Sequence, residues 1–330
     1  MRYIFFEGDS STGRILLNDL YGEENVRIIY KDRALKSRLM SILFKLHMSQ
    51  KINRKIQIPF KSIYFKSLIN YSFASIDGIC FIFVAGWYSK ELFIWLRKKY
   101  PKCKLILLLR DTIRAYEASI PSFLGRSLSK EFDLVITYNP NDAKMYGFLL
   151  SSVFFSKIDS SLLPSYPKSN LVFIGVAKDR LPLVHAIFQK IENAGFKCDF
   201  YLTKVDNVAQ AFSGRIMYAK KPVPYIEYLG REYASECILE VIKGDTAGGT
   251  LRCWEAVYYN KKLLTNWRGI KEFQYYNPNF MHYFSTVDDI DIDFLKTNSP
   301  VDYDYNNENS PVHLLELIEN NFSTSKGVNT

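Results

Sequence analysis

The residues best suited to chemistry lie in one stretch of the sequence, between positions 236 and 266. An apolar run there ends near Ile242, the residues Gly-Asp-Thr-Ala-Gly-Gly follow at 244–249, and a helical pattern begins near Thr250. Glycine lets the backbone approach a ligand closely, and the first turn of a helix leaves N–H groups free. A strand, a loop of small residues and a helix N-terminus in this order favour the binding of a diphosphate.

Side chains around this helix start could bind the rest of a nucleotide. Arg252 falls in the first turn and would add a positive charge beside Gly248, Gly249 and Thr250. Glu255 falls about one and a half turns into the helix, where its carboxylate could accept hydrogen bonds from two hydroxyls of a ribose. The same residues also fit an ordinary helix start, in which Thr250 caps the helix and the two glycines form a turn.

The elements that must position these side chains follow an alternation of apolar runs and helical periods. We expect strands at 3–6, 26–30, 78–84, 104–109 and 133–137, and helices at 12–21, 34–49, 88–100 and 141–149. The second half repeats the pattern, with strands at 171–175, 197–202, 215–218, 237–242 and 262–265 and helices at 183–194, 225–234, 251–259 and 311–321. The runs are continuously apolar, which is typical of parallel strands buried on both faces. This alternation predicts an α/β fold built from βαβ units.

A stretch rich in serine and proline, at 151–170, separates the two halves. We predict an N-terminal Rossmann-like domain at 1–155, a linker at 156–169, a C-terminal Rossmann-like domain at 170–310, and a terminal helix with a tail at 311–330. Ligands of open α/β sheets bind beyond the carboxyl ends of the strands, so we expect the two domains to face each other across a cleft.

Length and composition agree with two globular domains and exclude several classes of protein. The 330 residues are 48% hydrophobic and 23% charged, which excludes disordered and collagen-like chains. The net charge of +9 favours an anionic partner. Five cysteines without a Cys-x-x-Cys pair indicate reduced thiols in a cytosolic protein, and four scattered histidines form no metal-binding pattern. Because the apolar runs fall far short of the ~20 residues that cross a bilayer, we predict a cytoplasmic protein.

Residues 31–66, the basic segment, contain ten Lys and Arg side chains and one Asp, which together contribute +9 of charge. Apolar residues recur within it at helical spacing, at Leu35, Leu39, Ile42, Leu43 and Leu46. A basic amphipathic helix is typical of proteins that bind an anionic membrane surface. The alternative is an ordinary helix whose apolar stripe packs against the sheet and whose lysines lie in water.

The stretch 237–266 resembles the donor-binding core of GT-B glycosyltransferases. More narrowly, it resembles the short bacterial enzymes that build capsule, exopolysaccharide or the O-antigen of lipopolysaccharide. The matching positions are Thr250, Leu251, Arg252, Glu255, Ala256 and 260–266. Residues 223–230 and 171–202 resemble flanking parts of the donor domain, 132–148 resembles the end of the acceptor domain, and the first 130 residues resemble the family in architecture only.

This resemblance implies a hexosyltransferase that uses a nucleotide-diphosphate sugar, with a UDP-sugar favoured, and needs neither a cofactor nor a metal. The sugar, galactofuranose in some similar enzymes, would pass to a hydroxyl of a polyprenyl-diphosphate-linked or oligosaccharide acceptor. Such an enzyme would work at the inner face of the cell membrane, bound to its anionic surface through the basic segment. No nucleic acid is expected as a partner.

The resemblance also implies donor contacts upstream of the 237–266 stretch. Lys178 and Arg180 follow a strand and could clamp a phosphate, although a solvated loop fits the same residues. Val223 and Tyr225 could bind the nucleotide base, with backbone groups presented to its edge, although a simple proline turn fits as well.

The candidate catalytic base follows from one departure from the family pattern. Many GT-B enzymes carry a Glu-x7-Glu pair, but the residue eight positions before Glu255 is Ala247. This favours inversion at the anomeric carbon, with a base from the N-terminal domain that deprotonates the acceptor hydroxyl. Asp9 is our first choice for this base, Glu7 the second and Asp111 the third. The alternative is that Asp9 or Ser10 caps the helix expected at 12–21.

Two other functions are compatible with the sequence. A non-catalytic protein of the same fold could bind a nucleotide or assist a true transferase, since the first Glu of the pair is missing. A nucleic-acid-binding protein would account for the charge and the 15% of aromatic residues. However, the basic residues are concentrated in one segment, and no RNA- or DNA-binding motif is found.

Overall fold

The computed structural model describes residues 1–33, 35, 37–53, 56, 58, 60–69, 78–120, 122–212, 214–242, 249–296 and 300–324. They form two compact units. The first unit comprises Met1–Ser156 together with Asn309–Thr330, and the second comprises Lys157–Glu308. Residues 157–169, predicted as a linker, therefore belong to the second unit, and the terminal helix belongs to the first.

Parallel strands form the centre of the first unit. They are β1 (Arg2–Glu7), β2 (Val26–Tyr30), β3 (Ile79–Val84), β4 (Lys104–Leu108), β5 (Leu134–Thr137) and β6 (Leu149–Leu150). Within the described residues they form a six-stranded sheet in the order β2-β1-β3-β4-β5-β6. Its helices are α1 (Ser10–Leu16), α2 (Arg38–His47), α3 (Gln50–Asn53), α4 (Ser62–Leu68), α5 (Lys90–Lys99), α6 (Ile113–Ser119), α7 (Leu128–Glu131) and α8 (Pro140–Tyr146).

Large apolar side chains cover both faces of this sheet. On one face Phe83 belongs to a cluster that includes Phe44 of α2 and Trp87. On the other face Tyr3 packs with Leu314 of the terminal helix. That helix is Pro311–Thr324 (numbered α13 in chain order), and it completes the core of the first unit although it follows the second unit in the sequence.

The second unit repeats the plan. Its strands are β7 (Ser169–Val176), β8 (Cys198–Thr203), β9 (Met217–Ala219), β10 (Ser235–Glu240), β11 (Lys262–Thr265) and β12 (Met281–Tyr283), and its helices are α9 (Leu181–Asn193), α10 (Tyr225–Ala234), α11 (Leu251–Tyr258) and α12 (Ile292–Lys296). In the described part of this unit the strands form a parallel sheet in the order β12-β11-β10-β7-β8-β9. The buried side chains of α9 are Val184, Ile187, Phe188 and Ile191. Their spacing places one apolar face of the helix against the core.

The predicted α/β class and the parallel sheets are confirmed, whereas several element bounds differ from those predicted. The helix expected at 12–21 begins at Ser10, because the Asp9 side chain caps it, and ends at Leu16. The helix expected at 34–49 begins at Arg38, where the hydroxyl of Ser37 accepts a hydrogen bond from a main-chain N–H. The strand expected at 215–218 is found at Met217–Ala219.

Candidate functional site

A buried carboxylate at the end of β10 ties three elements of the second unit together. Glu240 has no exposed surface and accepts hydrogen bonds from the hydroxyls of Thr250 and Thr265, the latter at 2.5 Å. Thr250 is also the N-cap of α11, where its hydroxyl accepts the N–H of Arg252 at 3.2 Å. The start of α11 is therefore fixed against the ends of β10 and β11, as a ligand-binding helix N-terminus requires.

The predicted diphosphate loop is described only at its two ends. On one side Asn266 accepts the N–H of Ile242 at 2.7 Å and donates to its carbonyl at 3.2 Å. On the other side Gly249 packs against Phe273, because a Cβ at this glycine would lie 3.2 Å from the ring. Gly248 and the rest of 243–248 lie outside the described residues. The helix start and the strand end that flank the loop are both held by side-chain hydrogen bonds.

Two arginines meet the carboxyl ends of β7 and β10. The guanidinium of Arg252 donates to the carbonyl of Ile174 in β7. The guanidinium of Arg180 donates to Val241, which follows β10, and to Val176 at 2.6 Å. Burial lowers the pKa of Arg180, and the nearby positive charge of Arg252 lowers it further. Two close cations therefore lie at this edge of the sheet, where both donate to main-chain carbonyls.

The side chain of Glu255 lies inside the second unit. It is 1% exposed, and its oxygens accept the hydroxyls of Tyr225 at 2.7 Å and Tyr228 at 3.1 Å. Burial raises the pKa of Glu255, and it raises the pKa of Glu232, 2% exposed, well above the ordinary 4.5. The charge of Glu255 raises the pKa of Glu232 further, which favours one proton shared by the two buried carboxyl groups.

The phenol and carboxyl groups around Glu255 also affect the pKa of Arg252. Burial alone would lower the pKa of Arg252, but Tyr228, Glu232 and Glu255 outweigh it, and the net shift is upward. Its guanidinium also lies over the rings of Phe173 and Tyr228, at 5.4 and 5.9 Å from their centroids. Arg252 is therefore a permanent and well-positioned cation.

The structure brings Tyr225, Arg252 and Glu255 into one cluster and places Arg180 beside it through Arg252. Lys178 is exposed in the turn before α9, and Val223 is half-buried before α10. Sequence analysis missed Tyr228 and Glu232. Their spacing from Tyr225 puts all three on one face of α10, and this periodicity was the available signal. Among the described residues, no group of three His, Cys, Asp or Glu side chains could hold a metal ion.

In the first unit, Glu7 at the end of β1 is bound by an arginine. It is buried, and both of its oxygens pair with the guanidinium of Arg110, at 2.9 and 2.8 Å. Its Oε1 also accepts the N–H of Gly8 at 2.8 Å. Helix α1 lies directly on this pair, because a Cβ at Gly13 would collide with Glu7 and would lie 2.8 Å from the ring of Tyr30. The Glu7 carboxylate is thus ion-paired with Arg110 and hydrogen-bonded through Oε1.

Asp9 and Asp111 are exposed at the carboxyl ends of β1 and β4. Asp9 caps α1 and accepts the N–H groups of Ser11 and Thr12, both at 2.9 Å. Burial alone would raise the pKa of Asp9, but these hydrogen bonds outweigh it and lower the pKa below its ordinary value. Asp111 accepts the N–H of Thr112 at 2.8 Å. Capping by Asp9, the alternative from the sequence, is what the structure shows, and it makes Asp9 a weaker base.

Helix α2 presents its apolar stripe outward. Leu39 is 67% exposed, Ile42 50% and Leu46 48%, whereas Phe44 and Met48 are buried against the core. Four residues of the predicted stripe are therefore exposed, whereas Leu35 packs against the core as the alternative predicts. Lys36, Arg54 and Lys55 of the basic segment lie outside the described residues. Within the part of the chain that the structure describes, none of the helices has the length and apolarity needed to cross a bilayer.

Comparison with known proteins gives matches in structure alone. No protein-family model matches the chain, and no curated protein sequence matches it. An α,α-trehalose 6-phosphate synthase from Burkholderia multivorans superposes with a TM-score of 0.54 at 9% identity, over 100% of this chain and 98% of that one. The apo structure of OtsA gives 0.53 at 10% identity, over 97% and 99% of the two chains.

A third similar structure is a trehalose-6-phosphate synthase studied with bisubstrate glycomimetics, with a TM-score of 0.51 at 11% identity over 91% of this chain and 92% of that one. Likeness at such low identity establishes the fold and leaves the activity open. The class of structure is therefore the α/β fold of GT-B glycosyltransferases, built on two parallel six-stranded sheets, as the sequence predicts.

Proposed function

We propose that this protein is a glycosyltransferase that transfers a hexosyl residue from a nucleotide-diphosphate sugar, with a UDP-sugar favoured, to an acceptor hydroxyl. The observation that carries the proposal is the pair Arg180 and Arg252 at the carboxyl ends of β7 and β10, beside the start of α11. Ligands of doubly wound sheets bind beyond these strand ends, and a helix N-terminus favours phosphate. The GT-B fold adds support for the class of reaction.

The two arginines suit a leaving diphosphate. Glycosyl transfer breaks the bond between the anomeric carbon and the diphosphate and forms one to the acceptor oxygen, so negative charge develops on the diphosphate. Each guanidinium donates to main-chain carbonyls. Phosphate oxygens would replace these neutral acceptors with charged ones, which form stronger hydrogen bonds, and would relieve the repulsion between the two cations. The reaction then needs no metal ion to neutralise this charge.

The remaining donor contacts follow the resemblance. Glu255 binds the ribose by exchanging a tyrosine hydroxyl for a ribose hydroxyl, and its bond to Tyr225 supports this because the carboxylate already accepts a hydroxyl donor. Tyr225 and Val223 lie at the base, and the exposed Lys178 adds a second contact to the diphosphate. These assignments concern residues of the second unit only.

The acceptor hydroxyl is deprotonated by an exposed carboxylate of the first unit, Asp9 or Asp111. Glu7 is the weaker candidate because Arg110 occupies both of its oxygens. Loss of a general base lowers kcat by about 10²–10⁴-fold. Asp9→Asn or Asp111→Asn should therefore lower kcat while nucleotide affinity stays unchanged. We propose inversion, since the first Glu of the family pair is missing, whereas one similar structure is described in terms of transfer with retention. NMR of the product anomer distinguishes the two outcomes.

The acceptor we propose is a lipid-linked intermediate of a bacterial surface polysaccharide, and galactofuranose is the narrower proposal for the sugar. The exposed apolar side chains of α2, beside Arg38 and Lys45, support a peripheral position on the anionic inner leaflet. Basic side chains near such a surface contribute about 1 kcal/mol each.

A second candidate is a non-catalytic nucleotide-binding protein of the same fold. The observation that favours it is the state of the carboxylates in the β1–α1 loop, since Glu7 is ion-paired and hydrogen bonds lower the pKa of Asp9. Such a protein binds the nucleotide and gives no turnover of the nucleotide sugar.

Nucleotide binding tests the proposal. UDP, GDP, CMP and dTDP are titrated calorimetrically into the wild type, Arg180→Met and Arg252→Met, with Arg215→Met as the control because Arg215 is exposed and pairs with Glu192. We expect one nucleotide to bind, and each site variant to lose about tenfold or more in affinity, the value of a lost charge-assisted hydrogen bond. Failure of every nucleotide to bind the wild type, or equal affinity in all variants, would contradict the proposal.

A further inference from the structure

A cavity of about 400 Å³ lies within the first unit. It is formed by the loop after β1, the turn after β2 and the end of α2, and its side chains are Asp9, Lys31, Asp32, Lys45, Met48 and Ser49. Its volume is typical of a site for a small molecule. The cavity lies at the carboxyl ends of β1 and β2, next to a carboxylate that we propose as a base.

The two carboxylates of this cavity are supplied with donors by the protein itself. Asp9 accepts the N–H groups of Ser11 and Thr12, both at 2.9 Å. Asp32 accepts the N–H of Ser10 at 2.9 Å and its hydroxyl at 2.6 Å. These hydrogen bonds, and for Asp32 the guanidinium of Arg33 at 4.0 Å, therefore compensate the carboxylates in part, and the lysines of the cavity form no ion pair with them.

The two lysines have no such compensation. Lys31 donates to the carbonyl of Gly86 at 2.6 Å and lies 5.8 Å from the centroid of the Trp87 ring. An ammonium group carries three donors, so this bond leaves two. Burial lowers the pKa of Lys31 to about 8. Within the described residues, neither Lys31 nor Lys45 forms an ion pair with a carboxylate. The cavity thus contains two lysines that are not ion-paired with the carboxylates of its lining.

We propose that this cavity binds the acceptor substrate through an anionic group, a phosphate or a carboxylate, held between Lys31 and Lys45. That the ligand is the acceptor rests on the proposed glycosyltransferase function; that the cavity binds an anion rests on its lining alone. Both lysines gain charge-assisted hydrogen bonds from such a group. A neutral sugar gives them no countercharge while still removing water from a buried ammonium, which is unfavourable. Met48 supplies an apolar wall for the rest of the ligand.

Calorimetric titration with inorganic phosphate tests the site, and acetate in a second titration distinguishes phosphate from carboxylate recognition. The wild type is compared with Lys31→Met and Lys45→Met, and Lys130→Met serves as the control because Lys130 is exposed on α7 and is not among the residues of the cavity. Arg180 and Arg252 also attract phosphate. The titrations are therefore repeated with every protein carrying Arg252→Met, so that phosphate bound in the second unit is not counted as binding in the cavity. Lys45 is exposed, so its variant folds even if Lys31→Met does not.

We expect the affinity for phosphate at one site to fall by about tenfold or more in either cavity variant. This affinity should recover in part in Lys31→Arg and should be unchanged in the control. Equal phosphate affinity in wild type and both variants overturns the inference. The UDP titration separates it from the proposed function. If phosphate binding depends on Lys31 but UDP does not bind, the anion site in the cavity is supported and the transferase function is contradicted. If UDP binds but phosphate binding does not depend on either lysine, the proposed function is supported and the anion site in the cavity is contradicted.

Discussion

The two units both place charged side chains at the carboxyl ends of their strands, but they hold them differently. In the second unit Glu255 and Glu232 are buried, Glu255 accepts the hydroxyls of Tyr225 and Tyr228, and both carboxyl groups act electrostatically on Arg252. In the first unit Asp9 and Asp111 are exposed. A site whose side chains are fixed by internal bonds suits a ligand of constant shape, such as a nucleotide diphosphate. Open carboxylates and a cavity with uncompensated lysines suit the more variable partner, the acceptor.

Their helices show the same contrast. Helix α9 buries its apolar face completely against the sheet of the second unit, whereas α2 of the first unit exposes Leu39, Ile42 and Leu46. An exposed stripe with basic neighbours is what a membrane-surface helix requires. Under the proposed glycosyltransferase function, the rigid side chains belong to the donor side of the reaction and the exposed ones to the acceptor side.

Removing the buried carboxylate of the second unit should have the largest effect on stability. Glu240→Ala leaves the hydroxyls of Thr250 and Thr265 without their acceptor. We expect the free energy of unfolding to fall by about 3 kcal/mol, measured by urea denaturation followed by tryptophan fluorescence. Glu236→Ala, at an exposed position of the same strand, is the control and should cost less than about 0.5 kcal/mol. Similar losses in both variants would show that the Glu240 network does not organise the site.

The first unit is most sensitive where α1 lies on the Glu7–Arg110 pair. A methyl group at Gly13 would overlap Glu7 and the ring of Tyr30, so Gly13→Ala should destabilise the protein by about 2 kcal/mol. Gly22→Ala provides the matched control, since a Cβ there has no atom within 4 Å. Thermal unfolding measures both variants, and an unchanged Tm for Gly13→Ala would mean that α1 is not held against Glu7.

Membrane binding should depend on the stripe of α2 and not on exposed apolar residues in general. Ile42→Asp and Leu46→Asp should each weaken binding to vesicles that contain anionic lipid by about tenfold, since burying such a side chain contributes about 1.5 kcal/mol or more. Sedimentation with the vesicles measures this. Ile94→Asp on α5, at a site that is more exposed than Ile42 or Leu46, should bind like the wild type. Loss of binding in Ile94→Asp alone, or in none of the variants, would contradict the membrane assignment.

The smallest expected effect concerns the proton of the buried carboxyl pair. The pKa of Glu232 in the folded protein lies well above 4.5, so above pH 4.5 the folded state retains a proton that the unfolded state has released. The contribution of Glu232 to the free energy of unfolding is therefore fully present below about pH 4.5. It decreases as the pH rises towards the pKa of Glu232 in the folded protein.

Glu232→Gln removes this titration while keeping the shape of a protonated carboxyl. We expect its stability to decline less than that of the wild type between about pH 5 and pH 8, by about 1 kcal/mol. The control is Glu227→Gln, which is exposed on the same helix. Identical pH profiles for wild type and Glu232→Gln would mean that Glu232 is ionised in the folded state.

Local patterns predicted much of the fold and part of the site. Continuous apolar runs alternating with helices predicted both parallel sheets, and the position of Arg180 just after β7 predicted its place at a sheet edge. The threonine before α11 predicted the cap found at Thr250. These features depend on neighbours in the sequence, which is why periodicity and cap preference are sufficient to find them.

The features of the fold and the site that the sequence did not predict depend on side chains that are far apart in the chain. The periodicity of α2 defined its apolar stripe but could not show that Phe44 and Met48, next to that stripe, are the residues that meet the core. The tyrosine hydroxyls that bind Glu255 come from α10, about 30 residues earlier in the chain, and no local pattern predicted this contact. The bonds between Glu7 and Arg110 join residues that are 103 positions apart. No local pattern encodes which carboxylates meet such partners.

The most direct test of the account is a crystal structure with UDP bound. We expect the diphosphate within hydrogen-bonding distance of the guanidinium groups of Arg180 and Arg252 and of the N–H groups at the start of α11. We also expect both arginines to have left the carbonyls of Ile174 and Val241 that they contact without ligand. A nucleotide bound elsewhere, or a diphosphate at this edge with both guanidinium groups still on those carbonyls, would contradict the central claim.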